Sequence, residues 1–309
     1  MSVNFYAVIP MADAFRCGYA TIIGRPNAGK STLLNRLVGQ KVSITSDRPQ
    51  TTRQRLLGIH TLDNAQVVYV DTPGLHRQEG GPLSRLMNRA ARTSLDGVDV
   101  VVMVVTADGW RTEDEPVLVL AQSASCPVIL AINKTDQLEN RQAVLTSIDD
   151  FRQRMNFADI VPVSARSGDN VEELEHTILH YLPEGTPAFD KDQITDQSER
   201  FLAAEFVREQ VFRSLGQEIP YAVAVEITEF RNEPKHLHIE AVLWVEKEGQ
   251  KAILIGAGGA RLKDVGKRAR LAMQKTFGRK VWLGLWVKVR EGWSEDVRAL
   301  KSLGYGEDT

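Results

Sequence analysis

Cysteine is nearly absent: Cys17 and Cys126 are the only two in 309 residues. Two thiols so far apart exclude a disulfide-stapled fold and a cysteine-rich metal cluster, and they fit a reducing compartment. Aromatic residues are sparse at 7%, and neither internal repeats nor low-complexity tracts occur. Long hydrophobic runs are missing too: the longest apolar stretches, around residues 98–105 and 128–132, are strand-length and far short of a bilayer span. The opening MSVNFYAVIPMADAFRCGYA has no basic leading segment and no sustained apolar one, so a secretion signal is not expected and a cytoplasmic location is. Hydrophobic residues make up 43% and charged residues 25%, which excludes disorder, collagen and coiled coil as global classes. The length exceeds one typical domain and suggests two.

Apolar runs rich in Val and Ile at residues 20–24, 66–71, 98–106, 127–133 and 160–164 alternate with helical patterns at 30–38, 83–95, 113–124, 141–155 and 171–182. Continuous apolar runs are what strands buried on both faces require, so an α/β, doubly wound, mostly parallel sheet is expected, with ligands at the strands' carboxyl ends. Residues 182–196 (LPEGTPAFDKDQITD) lack periodicity and hold prolines and a glycine, marking a connection. Beyond it a helix at 199–215, alternating strands at 221–230 and 237–245, a basic helix at 260–277 and a strand at 281–289 describe a small α+β domain. The expected division is an extension at 1–17, a first domain at 18–183, a linker at 184–198 and a second domain with its tail at 199–309. Met11 is an alternative start.

The first run leads into Gly24, Arg25, Pro26, Asn27, Ala28, Gly29, Lys30 and Ser31, a G-x-x-x-x-G-K-S pattern followed by Thr32. Glycines let the backbone curl its N–H groups onto phosphate oxygens, and the next helix adds its positive end. Lys30 is then expected at the β- and γ-phosphates and the Ser31 hydroxyl on Mg2+. Asp71, Thr72, Pro73 and Gly74 (DTPG) close the next run. There a carboxylate is suited to hold Mg2+ through water, and the Gly74 N–H to reach a γ-phosphate. Asn133, Lys134 and Asp136 (NKTD) close another run. The Asp136 carboxylate can accept from both the ring N–H and the amine of guanine, whereas adenine offers no such donor pair and leaves the acceptor unpaired. Asn133 can donate to the base edge and tie loops together, the Lys134 stem can cover the base plane, and Ser164, Ala165 and Arg166 (SAR) can offer a backbone N–H to the guanine carbonyl. A small-molecule phosphate-loop kinase needs no such guanine reader.

With these motifs in this order, residues 18–183 resemble a guanine-nucleotide-binding G domain of the translation-factor-related class. The resemblance implies GTP and GDP as ligands, and residues 46–55 (SDRPQTTRQR) as a switch in which Thr52, in preference to Thr51, meets Mg2+ and senses the γ-phosphate. Lys30, Thr52 and Gly74 are the expected catalytic groups. Leu75 stands where Ras-like enzymes place a water-orienting glutamine, so slow intrinsic turnover is expected. In the subgroup resembled, the position of Asn27 helps bind a monovalent cation, and K+ there would put positive charge near the developing bridge charge.

The net charge of −2 conceals an uneven distribution. Residues 251–290 carry Lys251, Arg261, Lys263, Lys267, Arg268, Arg270, Lys275, Arg279, Lys280, Lys288 and Arg290 against the single acid Asp264. A basic run is ordinarily a solvated face, but this one adjoins Ile255, Gly256, Ala257, Gly258 and Gly259, a G-x-x-G loop before a helix. KH modules clamp the backbone of unpaired nucleotides with such a loop, so Ile255 to Gly259, Arg261, Lys263, Lys267, Arg268 and Arg270 are the expected RNA-binding residues, with Leu262 on the apolar floor. Ile253, Leu254, Leu271, Met273, Val281 and Val287 are expected in the core, as are at least two of Trp282, Trp286 and Trp293. His236 and His238 show no third metal ligand in sequence and are expected as surface histidines.

With a G domain before a type II KH domain, and with PQTTR, DTPGLH, NKTD, VSAR and LKSLGY, nearly the whole chain resembles the Era-type family of bacterial GTPases. The resemblance implies a GTP-hydrolysing factor of ribosome biogenesis. It would bind the 3′ end of 16S ribosomal RNA on the 30S subunit, with GTP state tuning RNA affinity. It also implies a monomer and a peripheral inner-membrane fraction, for which no amphipathic anchor is visible.

Overall fold

The apolar runs become neighbours in one sheet, ordered β2-β3-β1-β4-β5-β6, in a computed structural model that describes residues 14–46, 51–74, 81–138, 148–215 and 223–302. Met11, Leu75, residues 47–50 of the switch segment and the LGY of the closing motif lie outside the described residues. Strands β1 (Arg16–Gly24), β3 (Ala65–Asp71), β4 (Val100–Thr106), β5 (Val128–Asn133) and β6 (Asp159–Pro162) are parallel. Strand β2 (Leu56–Thr61) pairs antiparallel with β3 at one edge. β2 was not among the expected runs: Gly58 interrupts a short pattern that also alternates poorly, and only pairing with β3 makes it a strand.

Helices α1 (Lys30–Val38), α2 (Pro82–Thr93), α3 (Glu115–Gln122) and α4 (Val171–Tyr181) follow from the intervening patterns. Leu33, Leu34 and Leu37 of α1 and Leu174 and Ile178 of α4 close one sheet face, while Val117, Leu118 and Ala121 of α3 close the other. Every residue of β4 is therefore buried, as a doubly covered strand must be. The register sets Ile22 beside Asp71, Gly24 beside Val104 and Thr106 beside Asn133, so the chemistry-bearing strand ends share one rim.

Residues 182–196 do not float between halves. Gly58 bridges Thr195, Arg16 bridges Glu184, and Gln66 Oε1 accepts from the Ala188 and Phe189 N–H groups. Beyond them come α5 (Glu199–Ser214), β7 (Ala224–Asn232), β8 (Leu237–Val245), α6 (Glu248–Ile255), α7 (Ala260–Phe277), β9 (Val281–Val289) and α8 (Val297–Ser302). The second sheet is ordered β7-β8-β9, with β8 antiparallel to β7 and parallel to β9. This is the α-β-β-α-α-β arrangement of a type II KH domain, built on its own core around Val207, Ile239 and Met273.

Leu254, Met273 and Val281 are in that core, but Ile253 and Leu271 lie 45% and 51% exposed on outward helix sides. Only Trp293 of the three tryptophans is buried. Trp282 and Trp286 stand on the β9 face turned away from the helices, because alternation sends Leu283 and Leu285 to the other side.

Candidate functional site: a nucleotide pocket and a cationic cleft

Strand β1 delivers Gly24 to the rim, the loop turns, and α1 starts at Lys30. Asn27 and Gly29 both take positive φ, at 63° and 100°, and a Cβ on Gly29 would lie 2.2 Å from Asn133 Nδ2. Only glycine fits there. The loop walls a cavity of about 390 Å³, lined by Pro26, Asn27, Gly29, Lys30, Thr32 and Gly74 among others. That size suits a bound small molecule. Lys30 Nζ folds back to donate to the carbonyls of Gly24 (2.9 Å) and Arg25 (3.0 Å). Burial lowers the Lys30 pKa to about 8, with Asp71 opposing the shift and Arg25 adding to it. A buried cation without a counter-charge in bonding contact is poised for an anionic ligand.

Beside it, Asp71 Oδ2 accepts from the hydroxyls of Ser43 (2.8 Å), Ser31 (3.2 Å) and Thr52 (3.2 Å). Ser31 and Thr52 lie 3.0 Å apart. Asp71 Oδ1 is buried with no hydrogen-bond partner, and burial raises the carboxyl pKa against the pull of Lys30 and the three hydroxyls. An all-oxygen set of this kind suits a hard cation such as Mg2+. From the switch segment, the Thr52 hydroxyl belongs to this set. Ser43 is an addition that sequence reading missed, since it belongs to no motif. Asn27 Oδ1 is likewise buried without a partner.

On the base side, Asn133 Nδ2 donates to the Ala28 carbonyl (2.8 Å) and its Oδ1 accepts from the Ala165 N–H (2.9 Å). Asn133 thus joins the phosphate loop, NKTD and SAR. Ser164 Oγ donates to Oδ1 of the exposed Asp136 (2.6 Å). Thr72 Oγ1 anchors to the Ile22 carbonyl, and Arg166 contributes its own carbonyl to Arg36. Pro73 leads into Gly74, whose Cβ position is 3.1 Å from the Pro26 nitrogen.

In the second half, Gly256, Gly258 and Gly259 take positive φ around Ala257, which lets the chain turn from α6 into α7. A cleft beside the turn is lined by Gly259, Leu262, Lys263, Lys267 and Arg270, with Leu283 and Leu285 opposite. Of the other basic residues, Arg268 is paired with Asp264 at 2.9 Å, and Arg261 donates to the Ile253 carbonyl, which steadies the loop. Ile255 is half-buried at the end of α6, while Leu283, Leu285 and Gly266 line the cleft without having been singled out in sequence.

The two sites are joined. The fully buried Glu209 of α5 accepts from Lys41 (2.5 Å), the Thr45 N–H (3.1 Å), the Thr45 hydroxyl (3.2 Å) and Arg213 (3.0 Å). Arg208 donates to the Thr51 carbonyl (2.5 Å), and Arg53 to the Val223 carbonyl (3.0 Å). Leu83 and Met87 of α2 pack with Ala224, Trp293 and Leu300.

Residues 19–134 match the family model described as 50S ribosome-binding GTPase, and residues 218–294 match the KH domain model. GTPase Era of Pseudomonas aeruginosa is 52% identical over 292 residues, covering 94% of this chain and 96% of that protein. GTPase Era of Stenotrophomonas maltophilia is 52% identical over 289 residues, 94% of this chain and 97% of that one. Among solved structures, Era in complex with MgGDPNP and nucleotides 1506–1542 of 16S ribosomal RNA superposes with a TM-score of 0.91 at 41% identity, covering 95% of this chain and all of that one. A variant of Aquifex aeolicus Era bound to GDP·AlF4− superposes with a TM-score of 0.90 at 41% identity over the same shares. With the phosphate loop, the guanine-side loops and the G-x-x-G cleft all in place along its length, the chain belongs to the Era family of GTPases.

Proposed function

We propose that this protein hydrolyses GTP in the first cavity, binds the 3′ end of 16S ribosomal RNA on the small subunit in the second cleft, and couples the two through the switch segment. Lys30 and the loop N–H groups hold the β- and γ-phosphates, and Ser31 and Thr52 ligate Mg2+, with Asp71 and Ser43 behind them. Mg2+ when bound neutralises developing phosphate charge. Gly74 lies against Pro26 and Lys30, where its N–H would be available to a γ-phosphate. Asp136 reads guanine, oriented by Ser164. The unpartnered Asn27 carbonyl oxygen supports a K+ site beside the phosphates. Turnover without a glutamine after Gly74 is slow.

Lys263, Lys267 and Arg270 meet RNA phosphates, and Leu262, Leu283 and Leu285 floor the bases. The proposed units are 18–183 and 199–309, joined by 184–198. No helix among the described residues is long and apolar enough to cross a membrane; a peripheral inner-membrane fraction would use the basic face of α7, which salt-sensitive vesicle binding tests.

One observation carries the coupling: adjacent residues face opposite sites. The Thr52 hydroxyl is at the Mg2+ locus, and the Thr51 carbonyl is held by Arg208 of the RNA-binding half. A switch moved by the γ-phosphate must then move a bond to α5. Linkage requires RNA and GTP to raise each other's affinity by the same factor. Titrating labelled 16S 3′-end RNA against protein loaded with a GTP analogue or GDP tests this. Unequal affinities are expected, and equal ones remove the switch.

A further inference from the structure

The outer face of the second sheet carries a cluster that the nucleotide and RNA sites do not use. His238 Nε2 lies 3.4 Å from Glu229 Oε2 and 3.6 Å from Glu240 Oε1, and it is buried with no hydrogen-bond partner. These separations are too long for good hydrogen bonds. They match the ligand-to-ligand edge of a tetrahedral site, which for bonds of about 2.1 Å is roughly 3.4 Å. The three donor atoms all fall within 4.8 Å of one another.

The backbone brings them there. A bulge between Ile227 and Glu229 shifts the register, so that Glu229 pairs with Glu240 and Phe230 turns inward beside Ile239. Bulges re-aim side chains in this way. Two carboxylates directly opposite on one face repel each other, a cost that the pairing itself does not offset. The His238 ring is held by a parallel stack on Trp282, with centroids 4.2 Å apart and an 8° interplanar angle. Arg231 binds the other oxygen of Glu229, Oε1, at 2.8 Å, and leaves Oε2 for the cluster. Glu233 and His236 form a second donor set that shares His238.

We propose that Glu229, His238 and Glu240 bind a divalent transition-metal ion of the zinc class, with water completing the coordination. One imidazole and two carboxylates suit a borderline cation that accepts mixed nitrogen and oxygen donors. Bound there, the ion would cancel the Glu229–Glu240 repulsion and fasten the β7–β8 pair beside the exposed tryptophans.

Equilibrium dialysis of the chelator-treated full-length protein against Zn2+, with GDP and excess Mg2+ present to block the phosphate site, tests this. Wild type should take up one saturable Zn2+ per chain. His238→Ala and Glu240→Gln should each weaken that binding at least about tenfold, with unchanged circular dichroism and unchanged GDP affinity. Co2+ should give the intense visible bands of a tetrahedral site in wild type and lose them in both variants. If wild type takes up no saturable Zn2+, or the variants bind it as well as wild type, the proposal fails.

Discussion

Replacing Glu209 by Gln should uncouple the two sites without damaging either. The side chain is fully buried and accepts five bonds: from Lys41, from the N–H and hydroxyl of Thr45, from Arg213 and from the Gln210 amide. Hydrogen bonds to a charged group contribute about 1.5–3 kcal/mol each, and breaking a buried ion pair costs about 3–5 kcal/mol. Lys41 and Arg213 are 31% and 47% exposed at the side chain, so water recovers much of their share. Gln also keeps an acceptor for Thr45, which leaves a net cost of about 1–3 kcal/mol at the contact. Coupling energies between sites are also about 1–3 kcal/mol, or roughly 5- to 150-fold in affinity. The variant should therefore lose most of the RNA-affinity ratio between the GTP-analogue and GDP states. Its affinity for nucleotide should stay near wild type, and so should one of its two RNA affinities. Fluorescence anisotropy in the two states, with calorimetry for nucleotide, reads all four quantities. A variant that retains the full ratio would refute the idea that α5 carries the signal.

The Lys30 pKa of about 8, against an ordinary 10.5, makes the nucleotide-free protein gain stability as pH rises from about 8 toward 10.5, because the unfolded chain binds the extra proton in that window. Lys30→Met should abolish GTP binding yet raise nucleotide-free stability by about 2–3 kcal/mol; thermal melts at pH 7.5 that show no rise would contradict the burial argument. Asp136→Asn should exchange GTP preference for xanthosine triphosphate, and Ser164→Ala should weaken GTP by about tenfold through loss of one charge-assisted bond. Wild type should turn over faster in potassium than in sodium buffer, and Asn27→Ala should make the two rates equal. Lys267→Ala should lower the salt dependence of RNA binding by about one counterion, while Ala257→Asp with Gly258→Asp should abolish it; normal binding by the double variant would misplace the cleft.

The nucleotide pocket was legible in the sequence because its chemistry sits at strand ends, where a short motif and an apolar run occur together. Ser43 escaped because a lone serine in a loop reads as solvent-facing until the sheet brings Asp71 to it. The basic helix and the final strand were legible to the residue, since one long period and clean alternation define them. The junction of the halves was not. Nothing in the sequence marks Arg208, Glu209 and Gln210 of α5 for burial, yet all three are buried, because the helix is sandwiched between its own core and the first half. Binary patterning describes a helix with one apolar face; it has no signal for a polar face buried against another domain. The same blindness hid the metal-like cluster, whose members come together only through a bulge that a sequence does not announce.

The docked connection limits how the halves can move. Ile59 donates to the Ile194 carbonyl, Leu57 to Asp196, and Ser198 already caps α5 through the Phe201 N–H. Gln197 is therefore the sole step between a segment stitched to one body and the first turn of the next. Motion of the RNA-binding half must then be a short-radius swivel about that joint, with a small arc at its near end and a larger sweep at the far cleft. Lengthening the joint by a few flexible residues would turn a lever into a leash.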